Sequence, residues 1–134
     1  MNARALLLAW LAIGIVAVAL AGFLDNSYLA HVRGIPSPQP YPSATVLWAT
    51  IFMLAQTRIA LTILHPCKKP AALWRTLLLV VVCLAALLLA IGGAMHAPPA
   101  YGAYLLWLLA FLIIALTLLI RSTAKLLRKP PRTN

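Results

Sequence analysis

Four separated runs of apolar residues dominate the sequence, and each is about as long as a lipid bilayer is thick. They cover residues 5–24, 44–64, 76–95 and 101–120. A helix of about 20 apolar residues crosses a hydrocarbon core of about 30 Å. In lipid such a run must be helical, because an α-helix satisfies its own backbone hydrogen bonds. The chain is therefore predicted to be an all-α membrane protein, a single antiparallel bundle of four transmembrane helices.

The composition leads to the same conclusion. The 134 residues are 64% hydrophobic and only 9% charged, whereas soluble domains are roughly 45–50% apolar and about 25% charged. So few charges cannot cover a surface in water, and the excess apolar surface requires lipid. The first run exceeds the apolar stretch of about 7–15 residues in a cleaved signal peptide, so we expect it to remain as a membrane helix.

The basic residues predict the orientation of the helices. Lys and Arg concentrate in the cytoplasmic segments of membrane proteins. Among the basic residues outside the four runs, only Arg33 falls in the loop at 25–43. Both chain ends are therefore predicted to be cytoplasmic, with this loop in the periplasm of a bacterial inner membrane. The other basic residues lie before the first run, between the second and third, and in the tail at 121–134: Arg4, Lys68, Lys69, Arg75, Arg121, Lys125, Arg128, Lys129 and Arg132.

The loop at 25–43 is the longest predicted connection. Its alternating prolines at 36, 38, 40 and 42 favour an extended, polyproline-like backbone. Ser43 is predicted to be the N-cap of the second helix. Asp25 and Arg33 are the charged candidate site residues on this predicted periplasmic side.

The tail carries a stripe of positive charge. Arg121, Lys125, Arg128 and Arg132 follow one another at spacings of four, three and four, which places them on one face of a helix. Together with Lys129 they are predicted to contact anionic lipid headgroups, each cation contributing about 1 kcal/mol. Nucleic-acid binding is not predicted, because the charges lie where membrane topology alone would put them.

Arg58 is the only charged residue inside an apolar run. It lies about 9 Å in helix rise before the end of the second run, where an arginine costs a few kcal/mol unless it finds a partner or reaches the interface. Asp25, the only acidic residue, is predicted to be about 20 Å away at the other end of the helices. Snorkelling to the interface, a partner protein's carboxylate and an anionic substrate all remain open.

Other polar residues of the second run surround Arg58. At 100° per residue, Thr50, Thr57, Thr62 and His65 fall on one arc with Arg58, and Gln56 and Thr45 fall roughly opposite. The arc is typical of a helix packed inside a bundle, with threonine hydroxyls bonded to their own backbone, and it could also line a polar pathway. The candidate contact residues for a partner or substrate are Arg58, Thr57, Thr50, Thr62, Gln56 and His65.

Groups that perform catalysis are scarce. The chain has one acidic residue and three scattered histidines, whereas general acid–base chemistry usually draws on Asp, Glu or His. His65 is predicted on one side of the membrane and His31 and His96 on the other, so a shared cofactor is not predicted. His31, Met95 and His96 offer a weak alternative as copper ligands. The sequence therefore predicts no enzyme activity, no cofactor and no metal site.

These features suggest two kinds of function. The first is a non-enzymatic inner-membrane protein that works by intramembrane contact with another protein, as an accessory or assembly subunit of a complex or as an immunity-type protein. The second is a homo-oligomeric transporter, channel or flippase component for an anionic or lipid substrate. Membrane lipids are expected partners in both.

Overall fold

A computed structural model describes residues 3–36, 40–64, 69–93 and 98–127 of the chain. It contains four helices: α1 (Ala3–His31), α2 (Pro40–Ile63), α3 (Lys69–Gly93) and α4 (Pro98–Leu127). Each is long and apolar enough to cross a bilayer, and the described residues include no strand. The predicted fold class, an all-α membrane protein with four transmembrane helices, is confirmed.

Contacts between helix ends establish the antiparallel arrangement. Gly22 near the end of α1 lies against Val46 at the start of α2, and Gly93 at the end of α3 lies against Tyr101 at the start of α4. We call this the far end of the bundle. At the opposite, near end, the start of α3 contacts the end of α2. Each helix packs against its sequence neighbours and α1 packs against α4, while α2 and α3 share the least contact of the adjacent pairs.

Buried residues recur along each helix at intervals of mostly three and four. In α3, for example, Thr76, Leu79, Cys83, Ala86 and Ala90 are all buried. An average near 3.5 residues keeps one seam facing the bundle axis, as in the left-handed packing of four-helix bundles. The remaining faces of the helices carry exposed Leu, Ile and Val. Such faces suit lipid, because lipid tails are as apolar as these side chains.

The helices extend beyond the apolar runs, which corrects several predictions. Helix α1 continues through Asp25 to His31, and α2 begins at Pro40. The loop between them is therefore much shorter than 25–43, and Ser43 lies inside α2 rather than at its N-cap. Pro40 and Pro42 are helical instead of extended, because proline is tolerated in the first turn, where its missing N–H would have no partner. Pro36 follows α1, and Pro38 lies outside the described residues.

The same difference appears in the second half of the chain. Helix α3 begins at Lys69 rather than near residue 76, and α4 continues to Leu127 rather than ending near residue 120. An apolar run marks the part of a helix that lipid surrounds, whereas polar residues can continue the helix into the interface. The predicted helical conformation of the tail is confirmed as far as Leu127, since Arg121 and Lys125 lie on α4, and the lipid contact stays a prediction. Arg128, Lys129 and Arg132 lie outside the described residues.

Arg75 joins two helices at the near end. Its guanidinium donates a hydrogen bond of 2.9 Å to the backbone carbonyl of Thr62 in the last turn of α2. Carbonyls in a last helical turn have no partner within the helix, and a cation there also interacts favourably with the helix dipole. Arg75, predicted to lie in a loop as a topology signal, therefore also caps α2 from the neighbouring helix.

We expect Arg75→Gln to destabilise the bundle by about 1–2 kcal/mol, because it removes a charged donor from a half-buried backbone acceptor. The free energy of unfolding in mixed detergent micelles measures the effect. Arg121→Gln is the matched control, since Arg121 is exposed on α4 and the same charge is removed. Equal effects of the two substitutions would show that charge, rather than the bond to Thr62, is responsible.

Candidate functional site

Arg58 lies on the outer surface of the bundle. It is exposed, and so are Leu47, Ile51 and Leu54, which share its side of α2 at helical spacing. We call Leu47, Ile51, Leu54 and Arg58 the Arg58 face. The described part of the chain gives Arg58 no hydrogen bond or ion pair. A single cation therefore stands on an otherwise apolar face that would contact lipid or another protein.

The chain's acidic residue is far from Arg58. Asp25 is buried on α1, three residues after Gly22, which lies against Val46 of α2. This contact places Asp25 level with the first turns of α2, roughly 20 Å of helix rise from Arg58. Asp25 therefore cannot neutralise Arg58, as the sequence predicted. A second copy packed alongside in the same membrane orientation would place its Asp25 equally far along the helix axis from Arg58. It could therefore not neutralise Arg58 either.

The other polar residues of the predicted arc do not form a continuous polar surface with Arg58. The hydroxyl of Thr50 donates to the Val46 carbonyl and that of Thr62 to the Ile59 carbonyl, both at 2.7 Å. These threonines thus satisfy their own hydroxyls within α2, as expected for membrane helices. Thr57 is buried instead, and His65 lies outside the described residues.

Gln56 occupies the interior of the bundle. Its side chain is fully buried, and its amide nitrogen donates a long hydrogen bond of 3.4 Å to the hydroxyl of Tyr104 on α4. The amide oxygen of Gln56 and the hydroxyl of Thr57 have no hydrogen-bond partner among the described residues. Buried polar groups are usually paired, and an unpaired one costs about 1–3 kcal/mol. Among the described residues, this pair and the buried indole N–H of Trp10 therefore have unused hydrogen-bonding capacity.

An aromatic column on α4 adjoins Gln56. Tyr104, Trp107 and Phe111 are buried in succession, with ring centroids 6.3 Å apart for the first pair and 4.8 Å for the second. The indole N–H of Trp107 donates a hydrogen bond of 2.9 Å to the Trp10 carbonyl of α1. In a helix this carbonyl also accepts the N–H of Gly14. The indole reaches the backbone because Gly14 has no side chain to block it.

Glycine is required at position 14 for this contact. A Cβ atom there would lie 2.5 Å from two atoms of the Trp107 ring and 2.8 Å from the sulfur of Met53. Gly14, Val18 and Gly22 form the buried stripe of α1.

A cavity of about 360 Å³ lies between α2, α3 and α4. Aromatic side chains form much of its wall, and the alanines of α3 make room for it. It lies toward the far end of the bundle, because it combines the first half of α2 with the second half of α3 and the start of α4. The lining residues are Thr45, Trp48, Ala49, Phe52, Ala86, Leu89, Ala90, Tyr101 and Tyr104.

The remaining predicted site residues are dispersed. Asp25 is buried on α1, whereas Arg33 is exposed after its end. Arg121 and Lys125 are exposed one turn apart on α4, as a lipid-contacting stripe requires. The ring of His31 lies 2.9 Å from the Ser27 carbonyl of its own helix, and its predicted companions Met95 and His96 lie outside the described residues. Within the described ranges no three His, Cys, Asp or Glu residues come together as a metal site.

Sequence reasoning missed Tyr104, Trp107 and the cavity. One signal was present: Tyr104, Trp107 and Phe111 are spaced three and four apart, which places three rings on one side of a helix. Aromatic residues in a membrane helix usually mark its ends, and this spacing alone does not distinguish an interior column from a lipid-facing one.

Comparisons with protein-family models, curated proteins and solved structures give no significant match to this chain.

Proposed function

We propose that this protein is a non-enzymatic membrane protein that works by contact with a different membrane protein through the Arg58 face. Its role would be that of an accessory or assembly subunit, or of an immunity-type protein, in a bacterial inner membrane. The observation that carries the proposal is an arginine that is exposed on an apolar helix face and has no acidic residue of its own chain at its level.

The chemistry of Arg58 defines the partner. An arginine surrounded by hydrocarbon needs a carboxylate or a phosphate. Side chains on a helix tilt toward its N-terminus, which for α2 is the far end and leads away from the nearer interface. A carboxylate on a partner helix, level with Arg58, satisfies this requirement. A second copy in the same orientation would instead bring two like charges together, which is unfavourable.

Transport by a homo-oligomer has less support. That reading needs the polar side of α2 to line a shared pathway. The neighbours of Arg58 on its exposed side are Leu47, Ile51 and Leu54, and the hydroxyls of Thr50 and Thr62 are bonded to their own helix. A pathway wall made of this face would therefore offer one charge and little else that is polar.

Photo-crosslinking tests the proposed contact. We expect benzoylphenylalanine at Leu54 to capture one defined membrane protein in native membranes, because Leu54 lies one turn from Arg58. The matched control is Val81, which is similarly exposed on α3 and lies near the same level, as the Arg75–Thr62 hydrogen bond indicates. If Leu54 and Val81 gave the same products, or Leu54 captured only lipid or a second copy, the proposed contact would be wrong.

A further inference from the structure

The cavity between α2, α3 and α4 opens on the apolar outer surface of the bundle. Trp48 of α2 and Leu89 of α3 line it and are each 59% exposed, so its mouth lies between these two helices. They are also the adjacent pair with the least mutual contact. A molecule dissolved in the membrane can therefore enter sideways, without passing through a loop. The volume of about 360 Å³ falls within the range of about 300–1,000 Å³ for small-molecule sites.

The inner side of this cavity carries a hydrogen-bond donor with no acceptor. The Tyr104 hydroxyl accepts the hydrogen bond from Gln56, which leaves its own hydrogen available. No described residue accepts that hydrogen. The Gln56 oxygen behind it is also unpaired and fully buried. A chain of hydrogen bonds from Gln56 through Tyr104 to an outside acceptor would strengthen each of its members.

The walls favour a flat ring. Trp48, Phe52 and Tyr101 surround the space together with Tyr104, and aromatic faces prefer to contact other planar groups by offset stacking or edge-to-face packing. Ala86 and Ala90 are buried on the opposite wall and leave room for a ring. A lipid acyl chain would fill the volume but would leave the Tyr104 hydrogen without an acceptor.

We propose that this cavity binds a quinone-type lipid, a flat ring with carbonyl oxygens and an apolar tail, and that Tyr104 donates a hydrogen bond to a ring carbonyl. The tail leaves between α2 and α3 into the bilayer. Binding is the whole of the proposal, and no transfer of electrons is implied. The site is separate from the Arg58 face, so either proposal can fail without the other.

Quenching of tryptophan fluorescence in lipid nanodiscs tests the proposal, with decylubiquinone as the probe. Trp48 in the cavity wall is the reporter, and Trp48→Phe identifies its share of the signal. We expect saturable quenching of the wild-type protein. A probe that is only dissolved in the bilayer causes quenching that rises without saturation. That result would overturn the proposal.

Two variants separate the parts of the site. Tyr104→Phe keeps the ring but removes the hydroxyl, so the ligand loses its hydrogen bond and the Gln56 amide loses its acceptor. We expect the apparent Kd to rise about five-fold. Ala90→Leu fills the cavity and should abolish saturable quenching. Circular dichroism and thermal melting confirm that each variant is folded, and Ala85→Leu, on the exposed side of α3, is the matched control for Ala90→Leu.

Dodecylbenzene, which has a ring and a tail but no oxygen, completes the test. It does not quench, so its binding is read as displacement of decylubiquinone. We expect its inhibition constant to be at least five-fold higher than the Kd of decylubiquinone. Equal competition, or identical binding by wild type, Tyr104→Phe and Ala90→Leu, would show that the cavity does not recognise a ring carbonyl.

Discussion

Replacing Gly14 by leucine is expected to prevent α1 from packing against α4. A Cβ alone at this position comes 2.5 Å from the Trp107 ring, and leucine adds three further carbon atoms. The ring is held in place, because its N–H is bonded to the Trp10 carbonyl and it stacks on Phe111. Moving it would break a buried hydrogen bond as well as the stacking.

Gly14→Ala is expected to disturb the same contact less severely, because alanine adds only the Cβ atom. We expect it to lower the free energy of unfolding by about 1–3 kcal/mol, the usual cost of forcing extra volume into a packed core. Gly92→Ala is the matched control, because a Cβ at Gly92 of α3 meets nothing within 4 Å. Unfolding in mixed detergent micelles measures both variants. Equal stabilities of the two would show that the close contact between α1 and α4 does not hold the bundle together.

Replacing Arg58 by glutamine is expected to release the partner protein while leaving the bundle folded. Removing one member of a desolvated, hydrogen-bonded charge pair costs about 2–5 kcal/mol at an interface, so recovery of the partner should fall at least ten-fold. The fold should survive because Arg58 is exposed and bonds to no described residue. Quantitative co-purification from native membranes, normalised to the amount of the chain, measures the loss.

Two variants sharpen this prediction. Arg58→Lys keeps the charge and should retain much of the partner, although lysine cannot form the two parallel hydrogen bonds of a guanidinium. Arg121→Gln removes an exposed charge from α4 and should leave the partner bound. If Arg58→Gln kept its partner, or if Arg121→Gln lost it equally, the contact would not depend on Arg58.

The sequence predicted the number of helices and their approximate positions, because a long apolar run in lipid has one stable backbone conformation. It placed the helix ends less well. Asp25 and Arg75 lie in helices although hydropathy put them in loops, since the end of an apolar run reports the edge of the bilayer and not the end of the helix.

The second helix shows what periodicity can and cannot give. Its 100° rotation per residue correctly separated Arg58 from Gln56 and Thr45, which lie on opposite sides of α2 in the structure. Periodicity alone could not say which side faces the core. The structure buries the amide of Gln56 and exposes the charge of Arg58, as expected if a charge is harder to desolvate than an amide.

The interior contacts depend on more than one helix, and the sequence therefore could not predict them. Gly14 is one of six glycines in the sequence, and the need for glycine there follows from the indole of Trp107, 93 residues later, and the sulfur of Met53 on α2. The cavity likewise combines side chains from three helices. Such contacts follow from the relative rotation of the helices, which a single sequence does not specify when many rotations bury similar Leu and Ala surfaces.

The central claim, that this chain works in contact with a different membrane protein, is tested most directly by native mass spectrometry. The chain would be extracted gently from its own membrane and the mass of the intact assembly measured. We predict a mass that contains the 14.5 kDa chain together with a second, different polypeptide, which Arg58→Gln removes. An assembly whose mass corresponds to one chain or to several copies of it, with or without lipid, would contradict the account.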